Sequence, residues 1–172
     1  YGDGDDSTIV PAVNSVYIRK VFNVSDLNDI KMAVLHVDYD DAFVAYLNGV
    51  EIARANIGTI GIPPAYNESA TTFTEPLIVY GGKPQRFIIN NYQSLLLNGD
   101  NVLAIQVHNY GTGSSDLTLI PFLTLGFATA PPNPVGAHPL LDLPNKFLHT
   151  NFKLSSDGET LVLTNPQSVI TD

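Results

Sequence analysis

The side chains of this chain that could do chemistry are mostly carboxylates. Asp3, Asp5 and Asp6 stand close together in the glycine-punctuated opening Tyr1-Gly2-Asp3-Gly4-Asp5-Asp6-Ser7. Alternate carboxylates in such a loop can converge on one hard cation, and calcium takes about six to eight oxygen ligands. The opening departs from the calcium loop of helix-loop-helix proteins, because no bidentate glutamate stands at the required offset and no helical pattern flanks it. A solvated acidic loop is the competing reading. Asp38, Asp40 and Asp41 form a second group, and paired carboxylates are the raw material of acid and base catalysis on a glycosidic bond. That chemistry requires a cleft and surroundings that split two pKa values. Adjacent aspartates instead favour turns by bonding to nearby backbone, so a corner is expected here rather than a catalytic pair.

His36 and His108 lie within or at the end of strand patterns. Neither has a Gly-x-Ser-x-Gly elbow or a ligand pair at helical spacing to work with, so both are expected to be hydrogen-bonded structural histidines. No catalytic residue is assigned. Sugar recognition would use aromatic faces beside planar polar side chains in loops. Tyr66, Tyr80, Tyr92 and Tyr110 fall in or near loop stretches, with Asn67, Glu68, Asn109 and Asp116 close in sequence. Tyr66, Asn67, Asn109 and Tyr110 are therefore the ligand-binding candidates. Loop tyrosines also cover the ends of sandwiches without binding anything, and the chain has no tryptophan to serve as a broader stacking platform. Asn23-Val24-Ser25 and Asn67-Glu68-Ser69 fit the N-glycosylation pattern, and Asp6-Ser7-Thr8 resembles a bacterial O-glycosylation acceptor.

The elements that must position these groups are strands. Asn48-Gly49 separates two runs of apolar, β-branched and aromatic residues, and Asn-Gly suits a two-residue turn with positive φ at both central positions. With the Asp40-Asp41 corner before it, this predicts three successive strands. A one-residue slip would turn Phe43, Ala45 and Leu47 to the opposite face. Upstream, 15–24 and 30–39 read as strands, the second with Ala33, Leu35 and Val37 on one side and Met32, Val34 and His36 on the other. Residues 56–84 carry many glycines and prolines and predict a long surface loop. Residues 86–90 predict a short strand, 95–97 a brief apolar segment, and Asn98-Gly99-Asp100-Asn101 a turn. The nearly continuous apolar run Val102–His108 predicts a buried strand. A polar loop over 109–116 precedes a last strand over 117–127, bent or placed at an edge by Pro121. No segment has a sustained helical period, so the fold class is all-β, an antiparallel β-sandwich.

Composition bounds the function. The chain has 172 residues and is 44% hydrophobic, enough for one domain with a core. Eight Lys and Arg against 17 Asp and Glu give a net charge of −9, which argues against a phosphate backbone as partner. The lack of cysteine removes disulfides, thiolate nucleophiles and thiolate metal sites. No run approaches the roughly 18 apolar residues of a membrane span, so membrane insertion is not expected. After Phe127 the prolines at 131, 132, 134, 139 and 144 predict a semi-rigid linker over 128–146. Two or three strands are expected over 147–172, too few to bury a core alone.

Tyr1-Gly2-Asp3-Gly4-Asp5, Tyr17–Phe22, the Asp40-Asp41 corner with Tyr46–Glu51, and Asn101–Asn109 followed by Ser114-Ser115-Asp116-Leu117 together resemble a galactose-binding-like jelly-roll module. Such modules recur in large secreted bacterial proteins. The resemblance covers residues 1–127 and implies a jelly-roll sandwich, an extracellular or cell-surface location, and a structural calcium whose set Asp116 would join beside Asp3, Asp5 and Asp6. His149–Leu161 is similar to the opening strands of a lamin-tail-like domain, which implies that the chain is a piece of a longer polypeptide. The function expected is a non-catalytic spacer or adhesion module with weak glycan binding, its partners being glycan or neighbouring protein domains. The alternatives are a sandwich companion of a hydrolase, or a subunit that assembles by strand addition.

Overall fold

The computed structural model describes residues 12–129 and 141–143. The apolar and β-branched runs form strands β1 Ser15–Val24, β2 Ile30–Tyr39, β3 Ala42–Leu47, β4 Val50–Ala55, β5 Gln85–Ile88, β6 Gly99–His108 and β7 Leu119–Phe127. They make two antiparallel sheets, one ordered β1-β6-β3-β4 and the other β5-β2-β7. The chain is thus an all-β sandwich. Period-two alternation sends Ala33, Leu35 and Val37 from β2 and Phe43, Ala45 and Leu47 from β3 into one core with Ile105 and Leu103 of β6. Phe43, fully buried, packs edge-on against Tyr39 at 4.8 Å and Phe87 at 5.5 Å between ring centroids.

The Asn-Gly turn is as the dipeptide predicts: Asn48 has φ 50° and Gly49 φ 84°. Its side chain does more than turn the chain. Asn48 Nδ2 donates to Leu95 O and Asn101 Oδ1, and its Oδ1 accepts from Val102 N at 2.8 Å. Asn101 is fully buried and in turn bonds the backbone of Leu97 and Gly99. β6 begins at Gly99, three residues before the expected start and where a turn was predicted over 98–101, because β1 pairs with it as far as Val24 opposite Gly99. A one-turn helix α1, Tyr92–Leu95, runs into the expected apolar segment at Leu95; four residues are too few to show a helical period.

The long 56–84 loop lies over the outer face of β3. Ile57 and Ala70 pack on Ala42 and Val44 with Tyr46 beside them, so β3 is buried on both faces. Pro121 sits on β7, an edge strand, where its missing N–H leaves no ladder bond unmade in the sheet interior. Beyond β7, Ala128 N donates to Asp29 O, and Thr129 gives its N–H and hydroxyl to the Asp29 carboxylate. Residues 141–143 lie against β2 and β5 through an Arg86–Asp142 ion pair at 3.0 Å and a His36 Nε2 contact to Asp142 O. The expected strands over 147–172, the lamin-tail-like resemblance and the Asp3, Asp5 and Asp6 candidates lie outside the described residues.

Candidate functional site

The acidic corner changes sheets. β2 and β3 belong to different sheets, so Asp40 and Asp41, joined by a cis peptide bond, carry the chain from one layer of the sandwich to the other. The corner is fixed by main-chain bonds from Asp40 N to Thr118 O at 3.0 Å and from Asp41 N to His108 O at 3.2 Å. Around it three carboxylates divide the work.

Asp38 and Asp41 each accept backbone N–H groups on both carboxylate oxygens. Asp38 Oδ1 accepts from Leu77 N at 2.7 Å and its Oδ2 from Ile78 N at 2.9 Å. Asp41 Oδ1 accepts from Thr74 N at 2.8 Å, and its Oδ2 from Tyr110 N at 2.7 Å. Bonds from backbone N–H to a carboxylate are charge-assisted, which makes them strong clamps on otherwise irregular loops. Between the two clamps hangs Glu75. On the other side, Asp116 stands two residues before Thr118, whose carbonyl is tied to Asp40.

Asp40 is different. It is 1% exposed, and its Oδ1 is buried with no hydrogen-bond partner. One oxygen each of Asp40, Glu75 and Asp116 lie within 4.8 Å of one another, Glu75 and Asp116 being exposed. Burial pushes the Asp40 carboxyl up to about 7, and the negative charges of Asp41, Asp116 and Glu75 push the same way. Among the described residues no basic side chain offsets them; the Glu51–Arg54 and Arg86–Asp142 pairs involve other carboxylates. Asp116, a metal candidate by resemblance, is thus grouped with Asp40 and Glu75. Glu75 carries no sequence signal of its own, and Asp40 reads as a turn former ahead of a member of a carboxylate pair.

The ligand candidates gather at the same end of the sandwich. Asn14 joins them, its Nδ2 donating to Asn67 O at 2.9 Å and its carbonyl accepting from Asn109 N at 2.8 Å. Ser15 Oγ holds Tyr66 O at 2.7 Å, and Asp41 holds Tyr110 N. The rings themselves are open, Tyr66 being 74% and Tyr110 56% exposed. Asn67 is exposed too, whereas Asn109 is buried and spends its Nδ2 on Val13 O. The tyrosine pair, Asn67 and the carboxylate corner therefore share one loop-built end.

Neither histidine has a catalytic partner among the described residues. His108 gives Nδ1–H to Glu68 O and His36 gives Nε2–H to Asp142 O, and the other ring nitrogen of each is buried without a partner. Burial lowers both below the ordinary histidine value. An open cavity of about 480 Å³ beside β4 is lined by Glu51, Arg54, Ile60 and Phe87 among others. Its charged groups are already committed. Arg54 pairs bidentately with Glu51 and bonds the carbonyls of Ile57 and Ile62, while Glu51 accepts from Gly61 N.

No family model matches the chain, and no curated protein matches it. Among solved structures it is similar to a Streptomyces avermitilis α-L-rhamnosidase complexed with L-rhamnose, at 20% identity and TM-score 0.48 over 69% of this chain. It is also similar to an Aspergillus terreus α-L-rhamnosidase, at 17% identity and TM-score 0.45 over 72% of this chain. A Dictyoglomus thermophilum β-D-mannosidase follows at 19% identity and TM-score 0.34 over 56% of this chain. The chain spans 9%, 14% and 9% of those three chains respectively.

Proposed function

We propose that this chain is a non-catalytic accessory module, a galactose-binding-like jelly roll within an exported, cell-surface multidomain protein. It serves as a spacer or adhesion element, or as the companion of a catalytic unit, and holds glycan weakly at its loop end. The observation that carries the reading is the Asn14 bridge, which ties the backbones of the Tyr66 and Tyr110 loops together while leaving both rings in solvent. An aromatic ring on a backbone already held in place loses little further freedom when a ligand stacks on it. Two such rings with an exposed Asn67 amide beside one of them suit the apolar face and hydroxyl edge of a sugar.

The chemistry of the remaining groups supports binding rather than turnover. Asp38 and Asp41 accept from loop amides, and the two histidines are buried, neutral and bonded to carbonyls. No nucleophile, base and orienting group come together among the described residues. Glycan-array screening of the full chain tests the reading, with the Tyr66→Ala and Tyr110→Ala variants beside it. Binding that weakens at least tenfold in either variant is the expected result. An array with no binder removes the glycan assignment, and hydrolysis of a chromogenic glycoside by the isolated chain overturns the non-catalytic one.

A further inference from the structure

We infer that Asp40, Glu75 and Asp116 form a binding site for a hard divalent cation of the calcium class. Three separate segments supply the ligands, the β2–β3 corner, the loop after β4 and the loop after β6, so the ion would lock two loops onto the corner. The geometry fits. Calcium–oxygen bonds of about 2.3–2.6 Å let two ligands of one ion stand up to about 5 Å apart. The three carboxylate oxygens lie within 4.8 Å of one another, and water or backbone can complete the shell.

A cluster of acids can be no more than a solvated surface, but here the central member is not at the surface. Asp40 is 1% exposed, and its Oδ1 meets no donor. Leaving such an oxygen bare is unfavourable, and placing two further carboxylates beside it makes that worse. Neither cost is needed to make the turn, because the main-chain bonds of Asp40 and Asp41 hold the corner and the carboxylates of Asp38 and Asp41 hold the loops. Those bonds hold Thr74 and Leu77 on either side of Glu75 and Thr118 two residues after Asp116. A divalent cation converts the three carboxylates from mutual repulsion into a coordination set and gives the under-satisfied Asp40 carboxylate a partner.

The test uses the full chain stripped with chelator and titrated with calcium chloride, read by calorimetry and thermal melting. The expected result is one calcium per chain at this site. At a calcium concentration a hundred times Kd, Tm should rise by roughly 5–10 °C. The double variant Glu75→Gln, Asp116→Asn changes only exposed side chains and keeps the clamps, so it should fold and bind at least tenfold more weakly. Asp100→Asn, at the opposite end of β6, should bind as the parent does. No heat and no Tm change in the parent would overturn the inference. So would unchanged binding in the double variant, which would place the ion elsewhere, for example on Asp3, Asp5 and Asp6.

Discussion

Replacing Asp40 by asparagine in the cation-free protein isolates the cost of the buried carboxylate. The folded protein holds this carboxyl at about 7 against an ordinary value of 3.8. The unfolded chain therefore releases the proton first as pH rises. The group's contribution to stability is whole below about pH 4 and is lost as pH climbs through about 7. A gap of about three pK units is worth about 4 kcal/mol, and small movements of the exposed Glu75 and Asp116 away from the charge reduce it. Asparagine keeps the shape, cannot ionise and can donate to those two carboxylates. In chelator at about pH 8 the Asp40→Asn variant should thus be more stable than the parent by up to ~4 kcal/mol, and near pH 4 the two should nearly coincide. His36 and His108 act with the opposite sign. Their folded pKa values lie below 6.5, so their contribution is present above that value and falls away as pH drops. Both proteins carry them, so they cancel in the difference. Urea unfolding followed by circular dichroism at several pH values measures that difference. A gap that does not change with pH, or a variant less stable than the parent at about pH 8, would refute the reasoning.

Other outcomes follow from the same contacts. Asp38→Ala takes the acceptor from Leu77 N and Ile78 N and should cost about 3 kcal/mol in urea unfolding; with one clamp on Glu75 gone, calcium binding should weaken as well. Asn48→Ala removes bonds to Leu95, Asn101 and Val102 and should cost about 2–3 kcal/mol. Gly49→Ala should cost only about 1 kcal/mol, since an added Cβ meets nothing within 4 Å and φ of +84° is the sole strain. A Tyr66→Ala, Tyr110→Ala double variant should melt within about 0.5 kcal/mol of the parent, because both rings stand in solvent. A larger loss would mean that the rings cover the sandwich end.

What was legible in the sequence was local. The bounds of β1 and β2 follow from β-forming runs closed by turn residues, and the Asn48-Gly49 hairpin from the demand for positive φ. The faces of β2 and β3 follow from the period of two. The corner at Asp40-Asp41 was legible as a turn, but not that it crosses between sheets, since pairing partners are not written in local pattern. The early start of β6 depends on its pairing with β1, Val24 standing opposite Gly99, a partner that no local pattern names. The site was hidden for the same reason. Asp38 bonds to amides 39 and 40 positions on, and Asp41 to amides 33 and 69 positions on. Glu75 sits in a proline-rich loop with no pattern around it, and these clamps, with the Asn56 bonds to Asp41 O and Thr74 Oγ1, bring it to the corner. The available signals were three aspartates within four residues at a strand end, more acid than a turn requires, and the resemblance that singles out Asp116.

Anomalous diffraction from crystals of the full chain grown with terbium, a calcium surrogate, would locate the cation itself. A peak is expected between the carboxylates of Asp40, Glu75 and Asp116, with Asp38 and Asp41 still on their backbone amides. No peak there, or Asp40 Oδ1 bonded to a protein donor instead, would contradict the cation site.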